Sequence, residues 1–246
     1  MNILSPCAVC FIENHASKKG DDRPTLVFHA GRLFDDGYIL VECSKGHKSA
    51  VIYDERKHDI LFESACYAYL NGYEREAVTS YAASLERLYE FFIRVISRKY
   101  GIESNTFTDT WKLISKQSER QFGCFVMLYA LSIGKSFVLK NKFVEFRNKV
   151  IHQGYLPKGK ETWEYAQNTF DTKRDIMKLL KEKYASFVKE EVKQEIKLRT
   201  SKAPKDLPQM RIKVTPVGVD RNTNIAFDIE HFADYMSALQ NRWSSK

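Results

Sequence analysis

The sequence predicts a mainly α-helical protein with a small β-containing module at its N-terminus. After residue 53, apolar residues recur at three- and four-residue spacing, which is the period of amphipathic helices. Before residue 53, short β-type runs alternate with turn residues. With 246 residues, 43% of them hydrophobic, the chain is long enough for one well-packed domain and a small addition.

Composition and hydropathy exclude several classes of protein. Mean hydropathy is −0.42, and no apolar run approaches the roughly 20 residues that span a bilayer, so we expect no membrane partner. The N-terminal segment lacks the pattern of a signal peptide, which predicts a cytoplasmic protein. Cytoplasmic thiols stay reduced, and the chain has five Cys, an odd number. This usage favours a metal site over a disulfide framework.

The first predicted elements are two strands of a hairpin. The runs Thr25 to His29 and Tyr38 to Glu42 are separated by a segment that contains Asp36-Gly37. An Asp-Gly pair between two β-type runs is typical of a hairpin turn. We therefore expect a hairpin inside a module that spans residues 1–53.

Two pairs of metal-ligand residues flank this hairpin. Cys7 and Cys10 precede it, and Cys43 and His47 follow it. Short spacing lets both side chains of a pair point at one ion, and Gly46 gives the second pair a permissive backbone. So small a module buries little apolar surface, and a structural metal would stabilise it. The pattern resembles a zinc ribbon and predicts one structural Zn²⁺.

Two other interpretations of these residues stay open. His15 and His29 are spare ligand candidates if His47 is not a ligand. The cysteines and the histidine can also be unrelated residues that share only a region of the chain.

The elements after residue 53 are predicted from helical periodicity. The segment 119–137 is apolar on almost every side, so we expect it to be the central core helix. The tail predicts a strand or two within 210–219 and a short helix from Glu230. We expect a helical bundle over residues 54–200 and an α/β extension over 201–246. In order, the predicted bundle helices are at 60–72, 74–100, 111–116, 119–137, 141–153 and 161–199.

Positive charge is concentrated next to one of these helices. The net charge is +8, and the segment 135–160 holds seven Lys or Arg residues against the single Glu145. Such an excess fits a polyanionic partner, because cations that neutralise phosphates release counterions. A solvated helix face explains the charge equally well. The candidate RNA-binding residues are Lys140, Lys142, Lys149, Lys158 and Lys160.

The same segment contains a candidate catalytic motif, formed by Arg147, Asn148 and His152. RNA cleavage by its own 2′-hydroxyl needs a base, an acid and a cation at the phosphate. An imidazole titrates near neutral pH, a helix C-terminus favours its charged form, and arginine binds phosphate bidentately. One histidine cannot act as base and acid at once. A two-fold axis that brings two copies of His152 to one phosphate resolves this difficulty. Asn148 lies four residues before His152, on the same helix face, and can orient the ring or bind phosphate.

These residues resemble the R-x4-6-H signature of the HEPN superfamily, over residues 54–200. The segments 73–78 and 84–87 are also similar to the second helix of bacterial members. The resemblance implies a metal-independent endoribonuclease with a site shared across a homodimer, in toxin-like growth arrest or antiphage defence, with a neutralising antitoxin as a possible partner. Glu86 is expected to orient Arg147. Several members have a tyrosine two residues after the histidine that an antitoxin nucleotidylates. Here Tyr155 is displaced by one position.

A second function fits the same residues. A catalytically silent HEPN-like module can bind nucleic acid or protein as a sensor or adaptor. In that case Arg147 lies on a solvated face and His152 only caps the last turn of its helix. Retention of all three motif residues favours the enzyme, since a silent binder needs none of them.

Overall fold

The computed structural model describes residues 2–16, 28–212 and 230–244. It confirms a mainly helical protein with a small N-terminal sheet. None of the helices in these ranges is long and apolar enough to cross a membrane. The elements are β1 (Asn2–Pro6), α1 (Ala8–Ala16), β2 (Phe28–Leu33), β3 (Tyr38–Glu42), β4 (Lys48–Tyr53), α2 (Lys57–Leu70), α3 (Glu74–Lys99), α4 (Ser104–Ile114), α5 (Ser118–Ile133), α6 (Asn141–His152), α7 (Gly159–Lys202), β5 (Gln209–Ile212) and α8 (Phe232–Ser244).

The chain forms two compact units. The first unit combines Met1–Glu55 with Val192–Val214, and the second combines Arg56–Glu191 with Thr215–Lys246. The predicted division at residue 53 falls close to the first of these boundaries. The predicted extension 201–246, in contrast, is split, because β5 belongs to the first unit and α8 to the second.

The first unit is built on a five-stranded sheet in the order β1-β2-β3-β4-β5. A hairpin is present as β2 and β3, which pair Leu33 with Ile39, but β2 extends four residues beyond the predicted end of the first strand at His29. Gly37 closes it with a φ of 77°, in the left-handed region. The part of the predicted first strand at 25–27 lies outside the described residues. The sheet is larger than the single hairpin that we predicted.

Strand β4 explains why the sheet is larger. Its last five residues are all buried, as expected for a central strand with both faces covered. Such a strand lacks the alternation of apolar and polar residues that marks a half-exposed strand. β4 pairs antiparallel with β3 and parallel with β5. Pairing with β5 satisfies an edge of β4 that would otherwise expose its backbone groups.

Helix α3 is the centre of the second unit. It is 26 residues long and packs against α2, α5 and α6. The prediction that the apolar segment 119–137 is the central helix is wrong. In α5, Gln121 and Phe125 are the buried residues, whereas Met127 and Leu131 are 62% and 63% exposed. The apolar surface area of α5 is larger than the area that its neighbouring helices cover, so composition alone overstates the burial of α5.

The helix that carries the Arg147 motif is anchored in the core of this unit. Val150 of α6 is fully buried, and Phe143 and Phe146 pack against the same core cluster. Both phenylalanine rings also contact the ring of Tyr165 on α7. Helix α8 contributes Phe232 and other buried residues to this core. Packing therefore fixes which face of α6 is turned away from the core.

Candidate functional site

The four predicted metal ligands lie together in the first unit. Cys7 directly precedes α1, Cys10 lies in its first turn, and Cys43 and His47 flank the turn between β3 and β4. Their ligand atoms all lie within 4.8 Å of one another. The Cys10 Sγ is 3.7 Å from the Cys43 Sγ and 3.4 Å from His47 Nδ1. This cluster can hold a metal ion, with the first pair presented by a helix start instead of a hairpin turn.

Two residues that the sequence did not indicate contact the ligands from outside. The Ser49 hydroxyl lies 3.8 Å from the Cys7 Sγ and accepts a hydrogen bond from the Ala8 amide. A carboxylate oxygen of Glu13 lies 3.7 Å from His47 Nε2. Such contacts fix the orientation of metal ligands. The Glu13 contact turns Nδ1 of His47 toward the sulfurs. No spacing rule could have found either residue, because only the fold brings them to the cluster.

The backbone around Cys43 favours its thiolate. The Gly46 amide donates to the Cys43 carbonyl over 2.8 Å, closing a tight turn. Burial raises the pKa of the Cys43 thiol, but hydrogen bonds from the Lys45 and His47 amides outweigh it and lower the pKa overall. Burial and the neighbouring thiols raise the pKa of Cys10 to about 11. A bound cation would ionise the remaining thiols by direct attraction.

The second candidate site is centred on Arg147. Its Nη2 donates to a Glu86 carboxylate oxygen on α3 over 2.8 Å, and its Nη1 donates to the Asn148 side-chain oxygen over 3.0 Å. The expected contact with Glu86 is therefore present. The Arg147 side chain is 22% exposed and that of Glu86 is 30% exposed. Two fixed acceptors thus hold the guanidinium in one orientation while part of it stays accessible.

Arg147, Asn148 and Glu86 line a cavity of about 570 Å³ in the second unit. Residues from α3, α5, α6 and α7, together with the segment 136–140, form its walls. The α7 wall was missed by sequence reasoning, although its residues recur at three- and four-residue spacing. Six aromatic side chains share the lining: Tyr89, Phe122, Tyr129, Phe137, Phe143 and Tyr165.

His152 does not line this cavity. It is the last residue of α6, and its side chain is exposed. It has no hydrogen bond or ion pair with any residue that the structure describes. By helix geometry it lies about 6 Å beyond Asn148 along the axis, on the same face. One chain therefore brings Arg147, Asn148 and Glu86 together and leaves the imidazole accessible near them.

Tyr155 lies in a separate set of contacts. Its hydroxyl donates to the Glu161 carboxylate over 2.9 Å, and the Lys149 ammonium lies 3.9 Å from the centre of its ring. The hydrogen bond to Glu161 is the main cause that raises the pKa of Tyr155. The phenol is thus held protonated by a carboxylate neighbour.

The five candidate RNA-binding lysines are all exposed. Lys140 also lines the cavity, and Lys142 lies with its ammonium 4.6 Å from the ring of Phe143. Their exposure leaves them available to a polyanion, which is equally true of any solvated lysine.

No family model, curated protein or solved structure matches this chain. The resemblance to the HEPN superfamily stays a prediction that depends on the motif residues.

Proposed function

We propose that the protein is a metal-independent endoribonuclease of the HEPN type that acts as a homodimer. The observation that supports this most is the state of Arg147, which Glu86 and Asn148 hold in one orientation beside a cavity. An exposed imidazole follows five residues later in the same helix, at His152. A cation and an accessible acid-base group near each other are what cleavage by the 2′-hydroxyl requires.

The roles of the residues follow from their chemistry. Arg147 and the Asn148 amide bind the scissile phosphate and stabilise the charge of the pentacoordinate phosphorane. One His152 imidazole removes the 2′-hydroxyl proton, and the oxygen attacks phosphorus. The imidazolium of a second copy of His152 gives its proton to the departing 5′-oxygen. The products are a 2′,3′-cyclic phosphate and a free 5′-hydroxyl, and the two histidines exchange protonation states.

An RNA cleavage assay in EDTA tests the proposed chemistry. The expected result is cleavage by the native protein with 2′,3′-cyclic phosphate ends. His152→Ala and Arg147→Ala should each lower the rate by about 10²-fold or more. Both side chains are partly or fully exposed, so unfolding stability should change by only about 1 kcal/mol or less. His231→Ala, at another exposed histidine, is the matched control. Products with 5′-phosphates, or full activity in the double variant, would contradict the proposal.

The dimer is tested by solution mass. A two-fold assembly follows from the need for two imidazoles when each chain offers one at this position. Light scattering at micromolar concentration should give twice 28.7 kDa. A preparation that has the mass of one chain and still cuts RNA would refute the shared site.

The alternative is a silent HEPN-like binding module. It is favoured by the engagement of Arg147 with Glu86 and Asn148 and by the position of His152 outside the cavity lining. In that case the protein binds RNA or a protein partner, but native protein and His152→Ala show the same absence of cleavage. Growth inhibition on expression, relieved by His152→Ala, would instead support a toxin or antiphage role in the cytoplasm, with an antitoxin as the neutralising partner.

We infer that the metal of the Cys and His cluster is structural zinc. A tetrahedral Zn²⁺ with ordinary bond lengths separates two sulfurs by about 3.8 Å and a sulfur from a nitrogen by about 3.6 Å. The corresponding distances at Cys10 are 3.7 and 3.4 Å. Elemental analysis of purified protein should find one zinc per chain, and a metal-free preparation of unchanged stability would contradict this inference.

A further inference from the structure

We propose that the cavity beside Arg147 binds a nucleotide, with the base inside the cavity and the phosphate at Arg147 and Lys140. This inference rests on the proposed function, since it names how one nucleotide of an RNA substrate is held. It stands on a different observation, namely the composition of the cavity walls.

The size and the aromatic content of the cavity fit a planar base. A volume of about 570 Å³ lies within the range of roughly 300 to 1,000 Å³ that small-molecule sites occupy. Aromatic rings reach it from several directions, including Tyr89 of α3, Phe122 of α5, Phe143 of α6 and Tyr165 of α7. Nucleobases stack on aromatic side chains, and such stacking is a general means of holding a single-stranded nucleotide.

The α6 side of the cavity suits a phosphate. Phe143, Val144, Arg147 and Asn148 recur at three- and four-residue spacing on one face of α6, and Lys140 directly precedes the helix. Two of them are cations, and the guanidinium can bind two phosphate oxygens at once. The Asn148 side-chain nitrogen adds a donor, because its oxygen already accepts from Arg147.

The α7 side suits the edge of a base. Asn168 lines the cavity, and its side chain has no hydrogen bond to any described residue. Asp171 and Asp175 also line it, and each lies 3.1 Å from Arg174, whose single positive charge offsets one of the two carboxylates. Amide and carboxylate oxygens accept hydrogen bonds from exocyclic amino groups of bases. A cavity with cations at one wall and acceptors at another therefore fits a nucleotide whose base carries an amino group, and uracil has none.

Titration calorimetry on the full chain tests this proposal with adenosine 3′-monophosphate as the probe. We expect it to bind at least about tenfold more tightly than inorganic phosphate, adenosine or uridine 3′-monophosphate, because only it engages all walls. Equal binding of the adenine and uracil nucleotides would overturn the assignment of the base to the α7 wall.

Two substitutions connect binding to the cavity. Val144→Trp fills the space and should weaken the binding of adenosine 3′-monophosphate by about tenfold or more. Glu145→Trp, on the same helix outside the lining, should leave this binding unchanged. Asn168→Ala is milder and should reduce the preference for adenine over uracil, with Asn141→Ala as its control. Thermal unfolding establishes that each variant is folded. Unchanged binding in both cavity variants would overturn the proposal.

A labelled hexa-adenylate, bound to the His152→Ala protein so that it is not cut, distinguishes the source of the nucleotide. Displacement by adenosine 3′-monophosphate identifies a unit of RNA as the occupant. Mononucleotide binding without displacement identifies a free nucleotide, which also supports the site. RNA cleavage without mononucleotide binding, and unaffected by Val144→Trp, would refute this inference and leave the ribonuclease intact. Nucleotide binding without cleavage would support this inference and refute the ribonuclease.

Discussion

The Cys and His cluster and the Arg147 motif differ in how closely one chain brings their residues together. In the first unit, four ligand atoms converge within 4.8 Å, and Ser49 and Glu13 contact two of the ligands from outside. In the second unit, Arg147 is oriented by two acceptors while His152 stays exposed. A metal site needs only its own chain to bring the ligands together. The proposed ribonuclease site, with two imidazoles at one phosphate, would need a second chain.

The largest expected effect comes from removing a metal ligand. Cys43→Ala takes away one of the four ligands and leaves the other thiols near one another, so we expect metal loss and destabilisation of the first unit by about 4 kcal/mol or more. Elemental analysis and limited proteolysis of residues 1–55 measure both effects. Cys124→Ala, outside the cluster, should change neither.

Tryptophan fluorescence shows whether the two units respond separately to this change. Trp111, Trp163 and Trp243 all belong to the second unit. If the units are independent, the fluorescence-detected unfolding of the second unit should be the same in Cys43→Ala and native protein. A parallel loss of both units would show that metal binding stabilises the whole chain.

Acid should weaken the second unit through His58. Its ring is buried, with Nδ1 3.2 Å from an Asp59 carboxylate that also pairs with Arg56 and Lys173. Burial lowers the pKa of His58 to about 4, and the nearby cations add to this against the attraction of Asp59. The unfolded chain, with an ordinary pKa near 6.5, binds the proton first. Stability is therefore complete above about pH 6.5 and falls by up to roughly 3 kcal/mol as the pH drops toward 4.

Urea unfolding at pH 7 and pH 5, followed by tryptophan fluorescence, measures this loss. His58→Leu should remove much of the pH dependence in this interval, because no imidazole remains to be protonated on unfolding. His231→Gln, at an exposed position, should leave it unchanged. A native protein of equal stability at both pH values would contradict the role of His58.

An intermediate effect is expected from Arg199, which links the end of α7 to the end of β4 within the first unit. Arg199 is buried, donates to the backbone carbonyls of Tyr53 and Glu55, and pairs with Glu195. Arg199→Ala should cost about 2 kcal/mol, because it removes the buried guanidinium that donates to both carbonyls. Zinc content should not change, since none of these groups is a metal ligand. Loss of the metal in this variant would show that the cluster depends on the end of α7.

The smallest effect is expected from Glu86, which would act on the reaction only through Arg147. Glu86→Gln keeps an oxygen for the hydrogen bond but removes the charge, so kcat for RNA cleavage should fall by about tenfold with little change in stability. Glu76→Gln, a surface position on the same helix, is the control. An unchanged kcat in Glu86→Gln would assign the pair with Arg147 to folding alone.

Local patterns in the sequence predicted much of this protein. The hairpin turn at Asp36-Gly37 and the long helix α3 depend on residues that are near one another in the chain, and both are present. The paired spacing of Cys7 with Cys10 and of Cys43 with His47 predicted a cluster that can hold a metal. The contact of Glu86 with Arg147 was also expected, although no spacing rule predicted it.

Only the tertiary structure decided which elements are buried and what surrounds the motif. The apolar composition of α5 indicated a central helix, but burial depends on the area that neighbours cover, and α3 has more of them. The assignment of β5 and α8 to different units also depended on tertiary packing. The contacts of Ser49 and Glu13 with the ligands, and the cavity walls from four helices, join residues that are distant in sequence. A sequence pattern reports how often apolar residues recur within one helix or strand. A cavity wall built from several helices depends on how those helices pack, and packing is a property of the whole chain.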